Sequence, residues 1–369
     1  MEKTQMRTWA EIDLGALEHN YLALREQLPD GCRFLGVVKA NAYGHGAIQV
    51  AGKLEELGAE YLAVACLEEG VELREAGISL PILILGVTPA EFTDWLLRYD
   101  LTQTVGEEGM AAAYAEGARK AGRTLKVHVK VDTGMSRLGF LWERAAEAAA
   151  GISGMPGLEL EGIFTHFAAA DSDEAFTMEQ LSHFLTVTGT LEDRGIKIPI
   201  RHCAASAAVL NYPCTHMDMV RPGIALYGHY PEKGMEHLCG LRPVMTLKTR
   251  VATVRRVPAG ATVSYGRTAK MAGETTLAVL PAGYADGFPR LLSNEGSVLI
   301  HGIPCPIVGR VCMDLCMVSV ESVPDVRVGD EAILYGPEPV SVEHAADLTG
   351  TIQYELLSRV APRVPRIYR

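Results

Sequence analysis

The sequence predicts an α/β protein with an N-terminal (β/α)8 TIM-type barrel and a C-terminal, mostly β domain. From about residue 33 to residue 228, short β-branched runs alternate with longer stretches of helical periodicity, as in β/α units around a parallel sheet. No GxGxxG motif follows the first of these strands, which disfavours an open doubly wound sheet. After about residue 240, β-rich runs separated by glycine and proline replace the alternation.

The chain has 369 residues, which is long for one core, so we predict two domains at residues 1–240 and 241–369. Its formal net charge of −11 argues against a nucleic-acid partner, because phosphate binding needs clustered lysine and arginine. The longest apolar stretch, LPILILGV, is too short to span a membrane, and the charged N-terminal residues do not resemble a secretory signal. The eight cysteines lack a zinc-site spacing. We therefore expect a cytoplasmic protein with reduced thiols, no metal and no membrane partner.

Eight apolar segments are the candidate barrel strands. In chain order they read FLGVVKA, YLAVAC, PILILG, LTQTV, LKVHVKVD, LELEGIFTHF, IPIRHCA and MVRPGIALYG. Amphipathic segments that end at glycine, as helices often do, lie between them. The clearest are AIQVAGKLEELG, LEEGVELREAG and EAFTMEQLSHFLTVTGTLEDRG. In the second domain, helical periodicity is confined to SVEHAADLTG and IQYELLSRV.

The first strand ends in VVKANAYGHG, which places Lys39 where the chain leaves the core. A lysine reaching solvent before a glycine-rich turn is one interpretation. The other is a desolvated, nucleophilic amine at the mouth of the barrel, where such folds place their active sites.

Residues at the ends of other predicted strands favour the second interpretation. Each alone could be structural, but together they would converge on one rim: Lys130, Asp132, Arg137, His166, Ser206, Arg221, Gly223 and Ile224. The loops after strands seven and eight often bind phosphate in such barrels, and the Ser206 hydroxyl and the Gly223–Ile224 amides suit that role. A lysine beside a phosphate site is what pyridoxal 5′-phosphate (PLP) requires. A sugar-phosphate aldolase would also use both, but its lysine usually comes later and it lacks a β domain.

The segment VVKANAYGHG resembles the PLP-attachment motif of alanine racemases, with Lys39 as the lysine that binds PLP. Further segments resemble the same family in the same order: KVDTGMSRLG, THFA, RPGIALYG, VSYGRT, PAGYADGFPR, GRVCMD and YELLSRVAPRVPRIY. The resemblance covers essentially the whole chain. It implies a fold-type III PLP enzyme that works as a head-to-tail homodimer, with residues 1–13 joining the β domain.

The resemblance also implies the roles of individual residues. The phosphate would be held by Tyr43, Ser206, Gly223, Ile224 and Tyr354. Arg221 would face the pyridine nitrogen, and His166 would lie between that arginine and the catalytic tyrosine. Arginine only donates hydrogen bonds, so it would leave the ring nitrogen unprotonated and limit side reactions. Related decarboxylases have an acidic residue there, so Arg221 favours racemisation.

Two bases on opposite faces of the substrate are implied, Lys39 and Tyr265, with Tyr265 reaching the partner subunit's site. In the family, the lysine takes the Cα proton of the D isomer and the tyrosine that of the L isomer. Arg137 would hold the substrate carboxylate, and Lys130 matches a lysine that is carbamylated in many members. The remaining substrate-site positions are Met313, donated by the partner, and Asp314 and Tyr284 at the entry corridor.

One departure from the family pattern is Ala205, where many members have asparagine before the serine. Serine racemases of this fold commonly carry asparagine at the place of Tyr354 and have a membrane domain, so alanine is favoured as substrate. A serine or broad-specificity racemase, or a non-catalytic PLP-binding protein, is the alternative. The alanine racemase would supply D-alanine for peptidoglycan or allow its breakdown.

Overall fold

The computed structural model describes residues 6–369, and the chain divides into two compact units. The barrel unit comprises Leu17–Ala42 and Ala47–Arg242. The β-rich unit comprises Pro243–Arg369, the chain up to Ala16, and Tyr43–Gly46. Residues 1–5, which the resemblance assigns to the β domain, lie outside the described residues.

The first strand and helix are β1 (Thr8–Ile12) and α1 (Leu14–Arg25). The barrel unit then has eight parallel strands in the order β10-β2-β3-β4-β5-β6-β8-β9. A bridge between Ala205 and Arg221 links the two edges of this order, so the barrel is nearly closed and the predicted fold class is confirmed. The strands are β2 (Arg33–Val37), β3 (Tyr61–Val64), β4 (Ile82–Ile84), β5 (Leu101–Val105), β6 (Leu125–Asp132), β8 (Leu158–Phe164), β9 (Ile200–His202) and β10 (Met219–Val220), with β7 (Phe140–Leu141) pairing to β6.

Helices alternate with these strands, as the periodicity predicts. They are α2 (Ala47–Glu56), α3 (Leu67–Glu75), α4 (Thr93–Arg98), α5 (Glu108–Lys120), α6 (Trp142–Ser153), α7 (Glu174–Asp193) and α8 (Ser206–Asn211). The three clearest helical segments of the sequence correspond to α2, α3 and α7, and each helix ends shortly before its terminal glycine. Asp173 caps α7 by accepting a hydrogen bond from the Phe176 amide.

The strands of the barrel are buried on both faces, as expected of a parallel sheet covered by helices. Its buried residues are not all apolar, however. His128, Lys130, His202 and Arg221 are each at most 5 % exposed. Such groups are costly to bury without partners, so their hydrogen bonds need to be accounted for individually.

The β-rich unit contains a six-stranded sheet in the order β17-β16-β19-β11-β1-β20, a three-stranded sheet β12-β15-β18 and the pair β13-β14. Its strands are β11 (Met245–Arg250), β12 (Thr253–Val257), β13 (Thr262–Val263), β14 (Ala269–Lys270), β15 (Thr275–Leu280), β16 (Ser297–Ile300), β17 (Ile303–Pro306), β18 (Cys316–Ser319), β19 (Glu331–Tyr335) and β20 (Arg366–Tyr368). Its helices are α9 (Val342–Thr349) and α10 (Gln353–Ser358). Strand β1 pairs antiparallel with β11 and parallel with β20.

No helix within residues 6–369 combines the length and the apolar character needed to cross a bilayer. The same residues contain no disulfide, and no group of three or more metal-ligating side chains.

Candidate active site

Lys39 follows β2 and introduces a left-handed turn that the sequence did not predict. Ala40, Asn41, Ala42 and Tyr43 all have φ between 52° and 54°. The left-handed region is unfavourable for residues with a Cβ, so four in succession store strain. Hydrogen bonds hold the turn: the Ala40 amide donates to a Glu69 carboxylate oxygen at 2.6 Å, and Asn41 Oδ1 accepts from the Ala47 amide at 2.8 Å. The turn therefore fixes where the lysine leaves the strand.

The surroundings of Lys39 favour a neutral amine. Burial lowers the pKa of its ammonium, and the positive charges of Arg137 and Arg221 lower it further, against the opposing effect of Glu69. A neutral amine is a nucleophile and a base, whereas an ammonium is neither. This environment is what the second interpretation of Lys39 requires, and its role as a nucleophile stays a prediction.

Arg221 lies just after β10, is 3 % exposed and contacts residues at the ends of two strands, β8 and β9. Its Nη1 donates to His202 Nδ1 at 2.9 Å, and its Nη2 donates to the carbonyl oxygens of Thr165 (2.8 Å) and Cys203 (3.1 Å). The Nε–H group donates to no other described residue. A fixed guanidinium with a spare N–H is suited to donate to a ligand atom that accepts but carries no proton.

His166 Nδ1 lies 3.4 Å from Arg221 Nη2. Burial, followed by the charges of Arg221, Arg137, Lys130 and Lys39, holds the pKa of His166 well below its usual value, so the ring is neutral. Because Arg221 can only donate, Nδ1 is the acceptor and the ring proton sits on Nε2. His166 therefore presents an N–H donor on the side away from Arg221.

Lys130 is 5 % exposed, and its Nζ donates to the Val131 carbonyl oxygen at 2.6 Å. Burial and the nearby charge of Arg221 lower the pKa of this lysine to about 7. Arg137, on the loop after β6, contributes to the same shift and is itself exposed. The lowered pKa makes the unprotonated Lys130 amine far more accessible near neutral pH than that of an ordinary lysine.

A hydroxyl and two amides converge after β9 and β10. Ser206 Oγ accepts from the amides of Gly223 at 2.9 Å and Ala225 at 3.3 Å, and it is 5 % exposed. Since the oxygen accepts from both amides, its own proton is available to donate. Ile224, beside these amides, is 1 % exposed. Ala205 precedes Ser206 at the N-terminus of α8 and supplies no capping side chain.

In the β-rich unit, the rings of Tyr43 and Tyr354 are neighbours, with centroids 6.1 Å apart and planes tilted by 50°. The following residue, Gly44, has φ of 85°, and a Cβ there would lie 2.1 Å from the Leu357 carbonyl oxygen. Only glycine fits so close to α10 in this conformation. Tyr43 and Tyr354, both predicted to bind phosphate, are thus brought together.

The other predicted residues of this unit lie on exposed loops. Tyr265 is 73 %, Met313 53 % and Tyr284 44 % exposed. Backbone hydrogen bonds join two of these loops, since the Tyr284 amide donates to the Cys312 carbonyl at 3.0 Å and the Ala285 amide to that of Met313 at 3.0 Å. The third loop is attached by Ser264 Oγ, which donates to the Arg310 carbonyl at 2.7 Å.

A buried carboxylate that the sequence analysis missed supports these loops. Asp286 is fully buried and accepts from Arg7, from Arg363 Nε at 2.8 Å and from the Gly283 amide at 3.0 Å. Arg363 also donates to Asp314 at 2.7 Å. The segment PAGYADG offered a signal in its aspartate between two glycines, but its partners lie far away in the sequence.

Two family models match the chain, "Alanine racemase, N-terminal domain" over residues 12–231 and "Alanine racemase, C-terminal domain" over residues 244–368. An alanine racemase of Desulfovibrio desulfuricans is 46 % identical over 361 residues, covering 98 % of this chain and 97 % of the relative. An alanine racemase structure from Clostridium difficile 630 superimposes with a TM-score of 0.97 at 41 % identity, covering 100 % of this chain and 97 % of that one. The same enzyme in complex with cycloserine gives a TM-score of 0.94 at 40 % identity, with coverages of 99 % and 96 %. These matches extend over both units and agree with the arrangement of the barrel rim: the chain belongs to the alanine racemase family.

Proposed function

We propose that this protein interconverts L-alanine and D-alanine with PLP as its cofactor. The observation that carries the proposal is the barrel rim, where Lys39, with its lowered pKa, lies near the charge of Arg221 and Ser206 gathers two backbone amides. Its relatives over nearly the full chain are named for this activity.

The residues present fit the chemistry of PLP. The Ser206 hydroxyl and the Ile224 amide would bind the phosphate, with Gly223, whose amide donates to Ser206 Oγ, lining the same site. The family resemblance adds the hydroxyls of Tyr43 and Tyr354. The spare N–H of Arg221 would donate to the ring nitrogen, and the Lys39 amine would hold the cofactor covalently. When bound, PLP supplies an electron-accepting ring that makes the Cα proton of an attached amino acid acidic.

Two bases would then move the Cα proton between the faces of the substrate. Lys39, with its lowered pKa, would accept the proton of the D isomer and return one to that face. Tyr265 would serve the opposite face for the L isomer. The Nε2–H of neutral His166 is suited to donate to the tyrosine oxygen and so stabilise its deprotonated form. Arg137, exposed at the rim, would bind the substrate carboxylate.

We further propose a homodimer in which Tyr265 and Met313 of one subunit complete the site of the other. These side chains are more than half exposed, and Leu291 at 66 % and Leu315 at 43 % add apolar surface in the same unit. Exposed apolar groups of this kind are typical of interfaces. Asp314 and Tyr284 would line the entrance for the substrate.

Serine remains the second candidate substrate, since one extra hydroxyl on a small side chain is difficult to exclude sterically. D-alanine made in the cytoplasm would serve peptidoglycan synthesis, and the reverse reaction would serve its breakdown. The eight cysteines, all without disulfides, fit the cytoplasmic assignment.

The proposal is tested by following deuterium exchange at Cα by NMR in D₂O with L-alanine, D-alanine and L-serine. Wild-type protein loaded with PLP should exchange and racemise alanine, with serine slower. Tyr265→Phe should lower racemisation by about 10²–10⁴-fold yet still exchange D-alanine through Lys39. Tyr368→Phe, which removes a half-buried tyrosine hydroxyl of the same unit outside the predicted site, is the control. If the wild type binds PLP but exchanges none of the three substrates, the assignment as a racemase is wrong.

A further inference from the structure

A chain of hydrogen bonds runs from Arg221 into the interior of the barrel. Arg221 Nη1 is 2.9 Å from His202 Nδ1, and His202 Nε2 is 2.9 Å from His128 Nδ1. His128 Nε2 is 3.1 Å from an oxygen of Glu161. Four ionisable side chains on four strands or strand ends thus form one continuous path. The mechanism proposed above uses only Arg221 of these four.

The path lies inside the barrel. Both histidines are fully buried, and the Glu161 side chain is 13 % exposed. Tyr61, on β3, also donates to Glu161, on β8, although these strands are not neighbours, so that hydrogen bond crosses the interior. Gly162 makes room for the path, since a Cβ there would lie 2.5 Å from His128 Cε1. The space for the imidazole is therefore built into the backbone.

The chemistry of the two ends fixes the protons in between. Arg221 can only donate, so His202 Nδ1 accepts and the proton of a neutral His202 is on Nε2. That N–H donates to His128 Nδ1, which leaves the His128 proton on Nε2, directed at Glu161. Burial and the positive charges of Arg221, Lys126 and Lys130 favour neutral rings. Burial, with Arg221, lowers the pKa of both histidines, and at His128 it does so against the opposing hydrogen bond and charge of Glu161. The Glu161 carboxylate is ionised, because donors from His128, Tyr61 and Lys126 outweigh burial and lower its pKa to about 2.

Arg221 needs such a path because it has no closer counter-charge. Among the described residues its partners are carbonyl oxygens and imidazole nitrogens, and no carboxylate forms an ion pair with it. An uncompensated buried cation is costly. Hydrogen bonds polarise one another in a low-dielectric interior, so aligned donors that end at a carboxylate stabilise the cation at their head.

We propose that Glu161 is the remote counter-charge of Arg221. His128 and His202, each with its proton on Nε2, are positioning residues whose aligned hydrogen bonds couple the Glu161 carboxylate to the Arg221 guanidinium. The proposal rests on the proposed function in one respect: it takes the Arg221 guanidinium to be the group that donates to the ring nitrogen of the cofactor. It adds that the electronic character of the cofactor is set from inside the barrel, by residues that contact neither cofactor nor substrate.

Neutron diffraction of the PLP-loaded wild-type enzyme, crystallised in D₂O, tests the proton positions without reference to activity. We expect deuterium on Nε2 of His128 and of His202, and none on Nδ1 of either ring. Deuterium on Nδ1 of either ring would overturn the proposal, whether or not the protein racemises alanine. A wild type without racemase activity but with the expected pattern would instead overturn the proposed function alone.

Variants test the transmission of charge. Glu161→Gln keeps an oxygen that can accept from His128 but removes the charge, and we expect racemisation to slow roughly tenfold. Pyruvate formed per racemisation turnover should rise as control of the ring nitrogen weakens. Tyr61→Phe removes another hydrogen bond from the same carboxylate and keeps its charge, so it is the matched control and should resemble the wild type in both readouts. The same change in both variants would mean that packing, not charge, is responsible, and would overturn the proposal.

A second pair of variants keeps the test decisive if Glu161→Gln fails to fold. In His128→Gln, the amide oxygen can accept from His202 while the amide nitrogen donates to Glu161, which preserves the direction of the path. His128→Leu interrupts it. We expect His128→Gln to retain a low pyruvate yield and His128→Leu to raise it; equal yields from the two variants would contradict a role in transmission.

Discussion

The barrel rim and the exposed loops of the β-rich unit present their predicted functional residues in opposite ways. At the rim, Lys130, Arg221 and Ser206 are at most 5 % exposed, and each side chain is hydrogen-bonded. On the loops, Tyr265 and Met313 are more than half exposed. Strain is found in both places, in the left-handed residues after Lys39 and at Ser264, with φ of 66°.

Under the proposed function, the difference teaches that one chain would build one half of a site completely and display the residues of the other half. The rim groups have their pKa values shifted by burial within their own unit, so their chemistry is set before any partner arrives. Side chains on a rigid but exposed loop gain a defined environment only when another surface covers them. The proposed completion of each site by a second subunit would account for both arrangements in one protein.

The largest effect is expected at the rim. Lys39→Ala should abolish covalent PLP binding and lower racemisation by at least about 10³-fold, because nucleophile and base are lost together. The visible absorption of lysine-bound PLP and a coupled assay for D-alanine measure the two losses. Lys197→Ala, at an exposed lysine of the same unit, is the control. Retention of wild-type activity by Lys39→Ala would place the chemistry elsewhere.

The second prediction tests the division between subunits directly. Lys39→Ala and Tyr265→Phe should each be nearly inactive, but unfolding and refolding them together should restore activity. Random pairing makes half of the dimers mixed, and each mixed dimer has one site with both wild-type residues, so about a quarter of wild-type activity is expected.

Each variant refolded alone is the control for this mixing experiment. If the mixture shows no more activity than the two homodimers, then Lys39 and Tyr265 act within one chain. The contrast between the buried rim residues and the exposed loop residues would then have another cause.

The third prediction uses the pKa of Lys130, which burial lowers to about 7. A neutral amine reacts with carbon dioxide and an ammonium does not, so ¹³C-bicarbonate should give a carbamate NMR signal that grows as the pH rises through about 7. Lys130→Met should abolish the signal, whereas Lys126→Met, on the same strand, should keep it. A signal that is absent from the wild type at pH 8 would refute carbamylation of Lys130.

The same lysine should make stability depend on pH. Unfolded Lys130 has a pKa near 10.5, so between about 7 and 10.5 the unfolded chain binds a proton that the folded chain lacks. The free energy of unfolding should therefore rise with pH across this window, and urea titrations should show a smaller rise for Lys130→Met.

Much of the barrel and its rim could be predicted, because the signals are local. All eight strands were predicted from short apolar runs, and residues such as Lys39 and Arg221 follow a strand directly. The left-handed turn could not be predicted, since Ala40 and Ala42 carry no preference for that conformation. It is held in part by Glu69, from the next β/α unit.

The path inside the barrel was missed for a similar reason: His128 bonds to residues 33 and 74 positions away. Its signal was present in LKVHVKVD, where Lys126, His128 and Lys130 alternate with valines and so share one face of β6. Polar residues on a strand buried on both faces indicate an interior network, but the sequence does not name the partners.

The smallest effect is expected at Ala205, which precedes Ser206 at the rim. Ala205 occupies the N-terminal capping position of α8 without a side-chain acceptor. Ala205→Asn should supply one and raise the free energy of unfolding by about 0.5–1 kcal/mol, measured in urea. Ala207→Asn, inside the same helix, is the matched control and should give no gain, because asparagine favours caps over helix interiors. A cap affects the barrel unit alone, so the activity recovered when Lys39→Ala and Tyr265→Phe are refolded together should stay the same. A change in that activity would show that the exposed loops of the partner influence the rim despite its burial.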